Sequence, residues 1–225
     1  MEIAGFVKNS FVDYPGNIAA TVFTCGCNMN CWYCHNRALI SAQKGEYDEH
    51  KIIEFLKERK GFLDAVVISG GEPTLQPDLA EFITKVKDLG YLVKLDTNGT
   101  NPEVLESLIK KGLIDYIAMD IKAPFKKYKN ITMVPDIEKI KQSVNIIKNS
   151  QVTYEFRTTF APTLSIDDIK QILVELDDIE CYSLQEYKRP DFITQDVLPN
   201  HKPSEFAMLK EFGKNYTRVF NIKNL

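Results

Sequence analysis

Four of the five cysteines fall within ten residues, inside the stretch TCGCNMNCWYCHN from Thr24 to Asn36. Three of them are spaced Cys27-x3-Cys31-x2-Cys34. Thiolates suit soft metal centres, and a [4Fe–4S] cluster takes one cysteine per iron, so three cysteines leave one iron open to bind something else. Zinc is the rival chemistry, because His35 or Cys25 can complete a tetrahedral set. That geometry is less natural, since Cys34 and His35 are chain neighbours whose side chains diverge. Cys25, two residues ahead of Cys27, reads as a non-ligand, with a redox or substitute-ligand role as the minor alternative. An odd cysteine count gathered in one place points to metal or redox chemistry rather than to a disulfide framework. The fifth thiol, Cys181, opens a β-rich run and reads as a small core residue.

A site of this kind must be carried by a scaffold. The chain has 225 residues, 44% of them hydrophobic, enough to bury one substantial core, and a single domain over 1–225 is expected. Twenty-eight basic against 31 acidic residues leave a formal charge of -3, which gives no electrostatic reason to bind nucleic acid or anionic membranes. The first residues, MEIAGFVKNSFVDYPG, have neither the basic region nor the apolar run of a signal peptide, and no later run is long enough to span a bilayer. A soluble cytoplasmic protein is the expectation.

Short β-rich runs alternate with helical patterns in a βα rhythm. Strands are predicted at 19–24, 65–69, 91–95, 115–121, 153–160 and 181–187. Between them, helices are predicted near 49–60 and 78–89, from Asn101 as cap with Pro102 at the first position to Gly112, near 136–149, and after Ser165 with Asp168 at the third helical position. Ser204 is expected to cap a last helix through Phe212, and 188–203 reads as a long loop within a C-terminal loop and helix spanning 188–225. Six βα units predict an α/β fold, a partial (β/α)6 open barrel, with a flat doubly wound sheet as the alternative. The cysteines would sit in the loop 25–36 after the first predicted strand.

In such a fold the loops after the strands form the active face. The second predicted strand ends in SGGEPT, where Gly70 and Gly71 permit close approach to backbone and Glu72 offers a carboxylate for an ammonium. The third ends in LDTNG, where Asp96 can be a turn cap or a ligand contact. The fourth ends in AMDIK, and alternation sends Asp120 and Lys122 to the same side, as an ion pair or as a binding pair. Arg157 in EFRTT needs an anionic partner, and Glu155 on the same face could supply it. Lys126, Lys127 and Lys129 read as a solvated loop, and His50 and His201 as surface residues.

Together these motifs carry a resemblance. FTCGCNMNCWYCHN looks like the signature of the radical S-adenosylmethionine (SAM) superfamily, and CHN with the upstream SFVDYPG resembles its glycyl-radical-enzyme activating branch. The resemblance implies that Cys27, Cys31 and Cys34 hold a [4Fe–4S] cluster whose open iron chelates SAM, and that the backbone at Tyr33, Cys34 and His35 approaches the adenine. It implies that Gly70, Gly71 and Glu72 hold the SAM amino group, that Asp96 lies near its methionine moiety, and that Asp120 and Lys122 contact its ribose and carboxylate. Gln185 and Tyr187 would border the adenosine, where relatives often show histidine. The implied partners are a glycyl radical enzyme and an electron donor such as flavodoxin or ferredoxin. Within the branch the chain is most similar to activators of anaerobic ribonucleoside-triphosphate reductase. Activation of pyruvate formate-lyase or another lyase, and a radical SAM reaction on a small molecule or RNA, stand as alternatives, and a zinc-stabilised binding module is the non-enzymatic one.

Overall fold

The antiparallel hairpin β1 (Ile3–Tyr14) and β2 (Asn17–Thr24) opens a computed structural model that describes residues 1–132, 136–191, 193 and 199–223. Pro15 and Gly16 make its turn, and Gly16 takes a φ of +74° that a residue with a Cβ adopts only under strain. The remaining strands are β3 (Ala65–Gly70), β4 (Leu92–Thr97), β5 (Tyr116–Asp120), β6 (Thr153–Phe160), β7 (Ile179–Glu186) and β8 (Thr217–Lys223). The helices are α1 (Arg37–Ile40), α2 (Glu49–Glu58), α3 (Leu79–Asp88), α4 (Pro102–Lys110), α5 (Tyr128–Thr132), α6 (Ile137–Lys148), α7 (Ile166–Leu176) and α8 (Pro203–Gly213). The α/β class expected from the alternation is what the structure shows, with a mostly parallel sheet and no closed barrel among the described residues. The described residues group into two compact units, and each has its own interior.

The first unit takes in 1–28, 36–118 and 139–153. In it β2 pairs parallel with β3, and β3 with β4, in continuous register from Ala19↔Ala65 and Ala65↔Leu92. Ala65, Val66, Val67 and Ile68 are all fully buried, so β3 is covered on both faces, as the unbroken apolar run of a central parallel strand requires. A small cluster of Tyr14, Ala19, Ala65, Val67, Tyr116 and Ala118 forms part of this interior. Helix α3 buries Leu79, Phe82, Ile83 and Val86 at the i, i+3, i+4, i+7 spacing read from the sequence, each contributing about 2 kcal/mol.

The second unit takes in 29–35, 119–138 and 154–225, where β6, β7 and β8 pair in parallel. Phe156, Tyr182 and Leu184 are fully buried, as are Ile169, Ile172 and Leu173 of α7 and Phe206 and Leu209 of α8. Ser165 caps α7 as predicted. Its hydroxyl accepts from the Asp168 N–H at 3.2 Å while the Asp168 carboxylate accepts from the Ser165 N–H at 2.9 Å.

Three expectations are corrected. Two strands, β1 and β8, lie outside the predicted set. Ser204 is not a cap: α8 begins at Pro203, with Lys202 before it and the Glu205 carboxylate accepting the Lys202 N–H at 2.5 Å. Proline at the first helical position has no N–H to satisfy, which moves the start ahead of the serine. Asn101 precedes α4 but makes no side-chain cap; its amide donates instead to the Thr74 hydroxyl at 2.9 Å. Of the predicted loop 188–203, residues 192 and 194–198 lie outside those described. No helix among the described residues is long and apolar enough to cross a membrane.

Candidate functional site

The cysteine loop is rooted at its start by main-chain bonds. Gly26 N–H donates to Leu39 O at 2.8 Å and Cys27 N–H to Ile40 O at 3.3 Å, which ties the loop to α1. From the other side, Gly71 N–H donates to Thr24 O at 3.0 Å and Glu72 N–H to Gly26 O at 2.8 Å. Here the glycine pair is explained. A Cβ on Gly71 would lie 1.9 Å from Gly26 O, and one on Gly70, whose φ is +120°, 2.3 Å from Thr24 N. What approaches the GG turn so closely in the structure is the root of the cysteine loop.

Glu72 follows the glycines. Its side chain is fully buried, and its carboxylate accepts four hydrogen bonds: Thr74 N–H at 3.1 Å, the Thr74 and Thr97 hydroxyls at 2.5 and 2.8 Å, and Asn98 N–H at 2.6 Å. Burial alone pushes its pKa up, while the four donors favour the anion. In this geometry Glu72 fastens the turn after β3 to the turn after β4, and its lone pairs are directed inward to the protein.

Asp96, at the end of β4, accepts from Lys94 Nζ at 2.5 Å and from the Ser69 hydroxyl at 3.2 Å. Lys94 is 2% exposed, a buried cation the sequence reading passed over. Its signal was present, since in VKLD the lysine stands two residues before the aspartate and therefore on the same strand face. Beyond it, Asn98 reaches Asn28 and Cys27, with Nδ2 to Asn28 Oδ1 at 2.9 Å and to Cys27 Sγ at 3.9 Å.

In the second unit the loop continues through Cys31, Trp32, Tyr33, Cys34 and His35, with a turn closed by Cys34 N–H to Cys31 O at 3.2 Å. Cys31 and Tyr33 are buried, Cys34 is half-buried and His35 is exposed. Asp120 and Lys122 do face each other, with Nζ to Oδ2 at 2.9 Å. Arg157 pairs with the same carboxylate, Nε to Oδ1 at 2.9 Å, and not with Glu155. Glu155 is taken by Lys223 of β8 at 2.6 Å and by the Ser183 hydroxyl at 2.5 Å.

Burial would raise the Asp120 carboxyl, but Arg157 and Lys122 overcome it and hold the group well below the usual carboxylate range. Burial likewise works against the charge of Lys122, and Asp120 reverses that, leaving its pKa well above the ordinary value. The Lys122 charge in turn draws the Cys31 thiol down, against a larger upward push from burial. Tyr128 locks this strand end, its hydroxyl accepting from Lys122 N–H at 3.2 Å and donating to Asp120 O at 3.3 Å. The sequence reading treated that run as lysines only. Lys127 pairs with Asp168 at 2.7 Å, while Lys126 and Lys129 are exposed.

The residues fit an iron–sulfur cluster with a bound nucleoside better than a zinc ion. Cys25 is 3% exposed at the root of the loop, where its carbonyl accepts from Gln76 Nε2 at 2.8 Å. His35, the other candidate fourth zinc ligand, is exposed. Three buried polar atoms near the cysteines, the Tyr33 and Tyr187 hydroxyls and Trp32 Nε1, have no hydrogen-bond partner. Their rings adjoin, Trp32 lying 5.5 Å from Tyr33 and 5.7 Å from Tyr187 between centroids. Unsatisfied buried donors of this kind are rare unless a ligand completes them. Two residues set aside in the sequence differ from expectation. His201 stacks on Phe160, centroids 3.4 Å apart, and is not a surface residue, while Cys181 is half-buried and accepts from Asn221 Nδ2 at 3.4 Å.

Comparison with known proteins gives the family. The model of the Radical SAM superfamily matches residues 21–176. Two proteins of Methanocaldococcus jannaschii, each named "Putative glycyl-radical enzyme activating enzyme", are similar over most of their length. One is 40% identical over 95% of this chain and 92% of its own, the other 34% identical over 84% and 74%. Among solved structures, Streptococcus suis SuiB bound to S-adenosylmethionine matches with a TM-score of 0.70 at 15% identity, over 88% of this chain and 48% of that one. That last likeness is one of fold.

Proposed function

This chain belongs to the radical SAM superfamily, and from that premise we propose that it is an activating enzyme that installs a glycyl radical on a partner enzyme. The observation that carries the reading is the three-cysteine loop, in which Cys31 is buried and Tyr33, two residues on, keeps an unpartnered buried hydroxyl. When bound, a [4Fe–4S] cluster with an open iron supplies the electron that cleaves SAM to methionine and a 5′-deoxyadenosyl radical, chemistry beyond the reach of side chains.

The chain's own part is to hold and to orient. Cys27, Cys31 and Cys34 ligate the cluster. Lys122, fixed by Asp120, presents a directed cation suited to a substrate carboxylate, and Arg157 keeps the Asp120 anion in place. Gly70, Gly71 and Glu72 border the SAM amino group, as the resemblance implies, and also fasten the loop root. Asp96 is held by Lys94 near the methionine end, and the Tyr33 to His35 backbone, with Tyr187, borders the adenosine. Residues 1–225 form one catalytic domain, and the partner is a glycyl radical enzyme, anaerobic ribonucleoside-triphosphate reductase by the branch resembled, with a flavodoxin or ferredoxin as reductant.

The test is anaerobic reconstitution with iron, sulfide, reductant and SAM, followed by EPR after mixing with each co-encoded glycyl radical enzyme. A glycyl doublet on the reductase is the expected result. SAM cleavage without a glycyl signal on any such partner would replace this reading with a reaction on a small molecule, and protein carrying one zinc and no sulfide would overturn it.

A further inference from the structure

The Asn98 side chain is oriented by its neighbours without ambiguity. Its Oδ1 lies 3.0 Å from Thr100 N and 2.7 Å from Thr100 Oγ1. A backbone N–H can only donate, so the amide atom facing it must be the oxygen, and Nδ2 must be the end that faces Asn28 and Cys27. Three side chains then close a ring in which every donor has an acceptor. Asn98 Nδ2 donates to Asn28 Oδ1 at 2.9 Å, Asn28 Nδ2 to Thr100 Oγ1 at 2.8 Å, and Thr100 Oγ1 back to Asn98 Oδ1. Asn98 and Thr100 are buried, and the Asn98 backbone is anchored by its 2.6 Å bond to Glu72. One N–H of the amide is spent on Asn28. The other is left for Cys27 Sγ at 3.9 Å.

We propose that Asn98 is a positioning residue for Cys27, whose amide, locked by the ring with Asn28 and Thr100, donates to the Cys27 sulfur and so sets the reduction potential of the cluster that sulfur holds. The inference rests on the reading of Cys27 as a cluster ligand. Hydrogen bonds to cluster sulfurs are one of the protein's means of adjusting its potential, because an N–H dipole aimed at sulfur favours the more negative, reduced state. Such a donor is worth more when it cannot rotate away, and here the ring fixes it. The role also accounts for the residues of DTNGT, which begins in the last two residues of β4. Asn98 is its third residue and Thr100 its fifth, and both serve Cys27 of another loop.

The experiment is an EPR-monitored potentiometric titration of the anaerobically reconstituted full chain, with iron and sulfide counted per chain in each sample. Wild type is compared with Asn98→Ala and with Asn28→Ala, an exposed position whose loss frees the ring and leaves the Asn98 amide in place. Asn98→Ala at full cluster content is expected to make reduction roughly tenfold less favourable, about 59 mV more negative for one electron. Asn28→Ala is expected to shift the same way by less. A purely structural role would change cluster content or melting temperature and leave the potential of the loaded fraction unmoved.

Wild-type potential in both loaded variants overturns the inference. Should Asn98→Ala fail to fold or load, Asn28→Ala decides alone, a negative shift supporting the inference and an unchanged potential overturning it. Wild-type protein that takes up no iron and sulfide overturns the cluster reading itself, an outcome distinct from the others.

Discussion

Lys94 and Asp96 form a buried ion pair two residues apart on β4, Nζ to Oδ1 at 2.5 Å, with the lysine almost wholly removed from solvent. Both charges depend on each other, because a buried ion without its partner keeps the full cost of leaving water. Lys94→Met is therefore expected to destabilise the fold by about 3 kcal/mol, while the double change Lys94→Met with Asp96→Leu recovers much of that loss. Urea denaturation of the two variants checks it, and equal destabilisation by both would contradict the pairing.

Asp120 gives a pH dependence with a definite sign. Its folded-state pKa is depressed by Arg157 and Lys122, so the stability it contributes is present above the ordinary carboxylate range and is lost as the pH falls through it toward the depressed value. Arg157→Met should raise the carboxyl and move acid destabilisation to higher pH, whereas Asp120→Asn should flatten that part of the profile. Melting temperatures between neutral and acid pH distinguish the two, and superimposable profiles would refute the assignment.

Gly71→Ala tests the docking of the cysteine loop. With a Cβ 1.9 Å from Gly26 O, the loop root must separate from the turn after β3 and lose two main-chain bonds. A cost of about 2 kcal/mol or more is expected from bonds at about 1 kcal/mol each plus strain. Iron and sulfide per chain should fall with it. A fully loaded, equally stable variant would show that the close contact has no consequence.

The cysteines separate into ligands and bystander by substitution. Cys27→Ala, Cys31→Ala and Cys34→Ala are each expected to abolish a stable four-iron cluster, while Cys25→Ala retains it, since that thiol is buried at the end of β2 with its carbonyl held by Gln76 Nε2 at 2.8 Å. Iron, sulfide and visible absorbance are the readouts. Loss of the cluster in Cys25→Ala would restore it as a ligand.

Much of this was legible from periodicity. The helices α2, α3, α4 and α7 show the 3.6-residue stripe, and the six strands β2 to β7 show β-rich or apolar runs. Strand β1 did not announce itself because three register shifts along its pairing with β2 break the period of two, leaving Phe11 and Val12 both exposed. At the site, residue types and spacing located the thiols and placed Asp120 with Lys122. The partner of Arg157 was missed for a physical reason: alternation identifies which residues share a face of one strand, as Glu155 and Arg157 do, but the anion that wins comes from β5, and the cation that takes Glu155 comes from β8. The role of Glu72 was hidden in the same way, since two of its four donors, the Thr97 hydroxyl and the Asn98 N–H, are brought near only by the fold.

The joint between the cysteine loop and the glycine turn is made from peptide groups of Thr24, Gly26, Gly71 and Glu72. Peptide groups are the same in every residue but proline, so this joint does not read side chains on the loop side. Loop residues that neither ligate nor orient a ligand, such as Asn30, can therefore change identity without unseating the loop, whereas the two glycines opposite cannot. Sequence variation in this protein should be tolerated on one side of that contact and refused on the other, an asymmetry of evolvability that a saturation library across 28–36 and 70–71 would display directly.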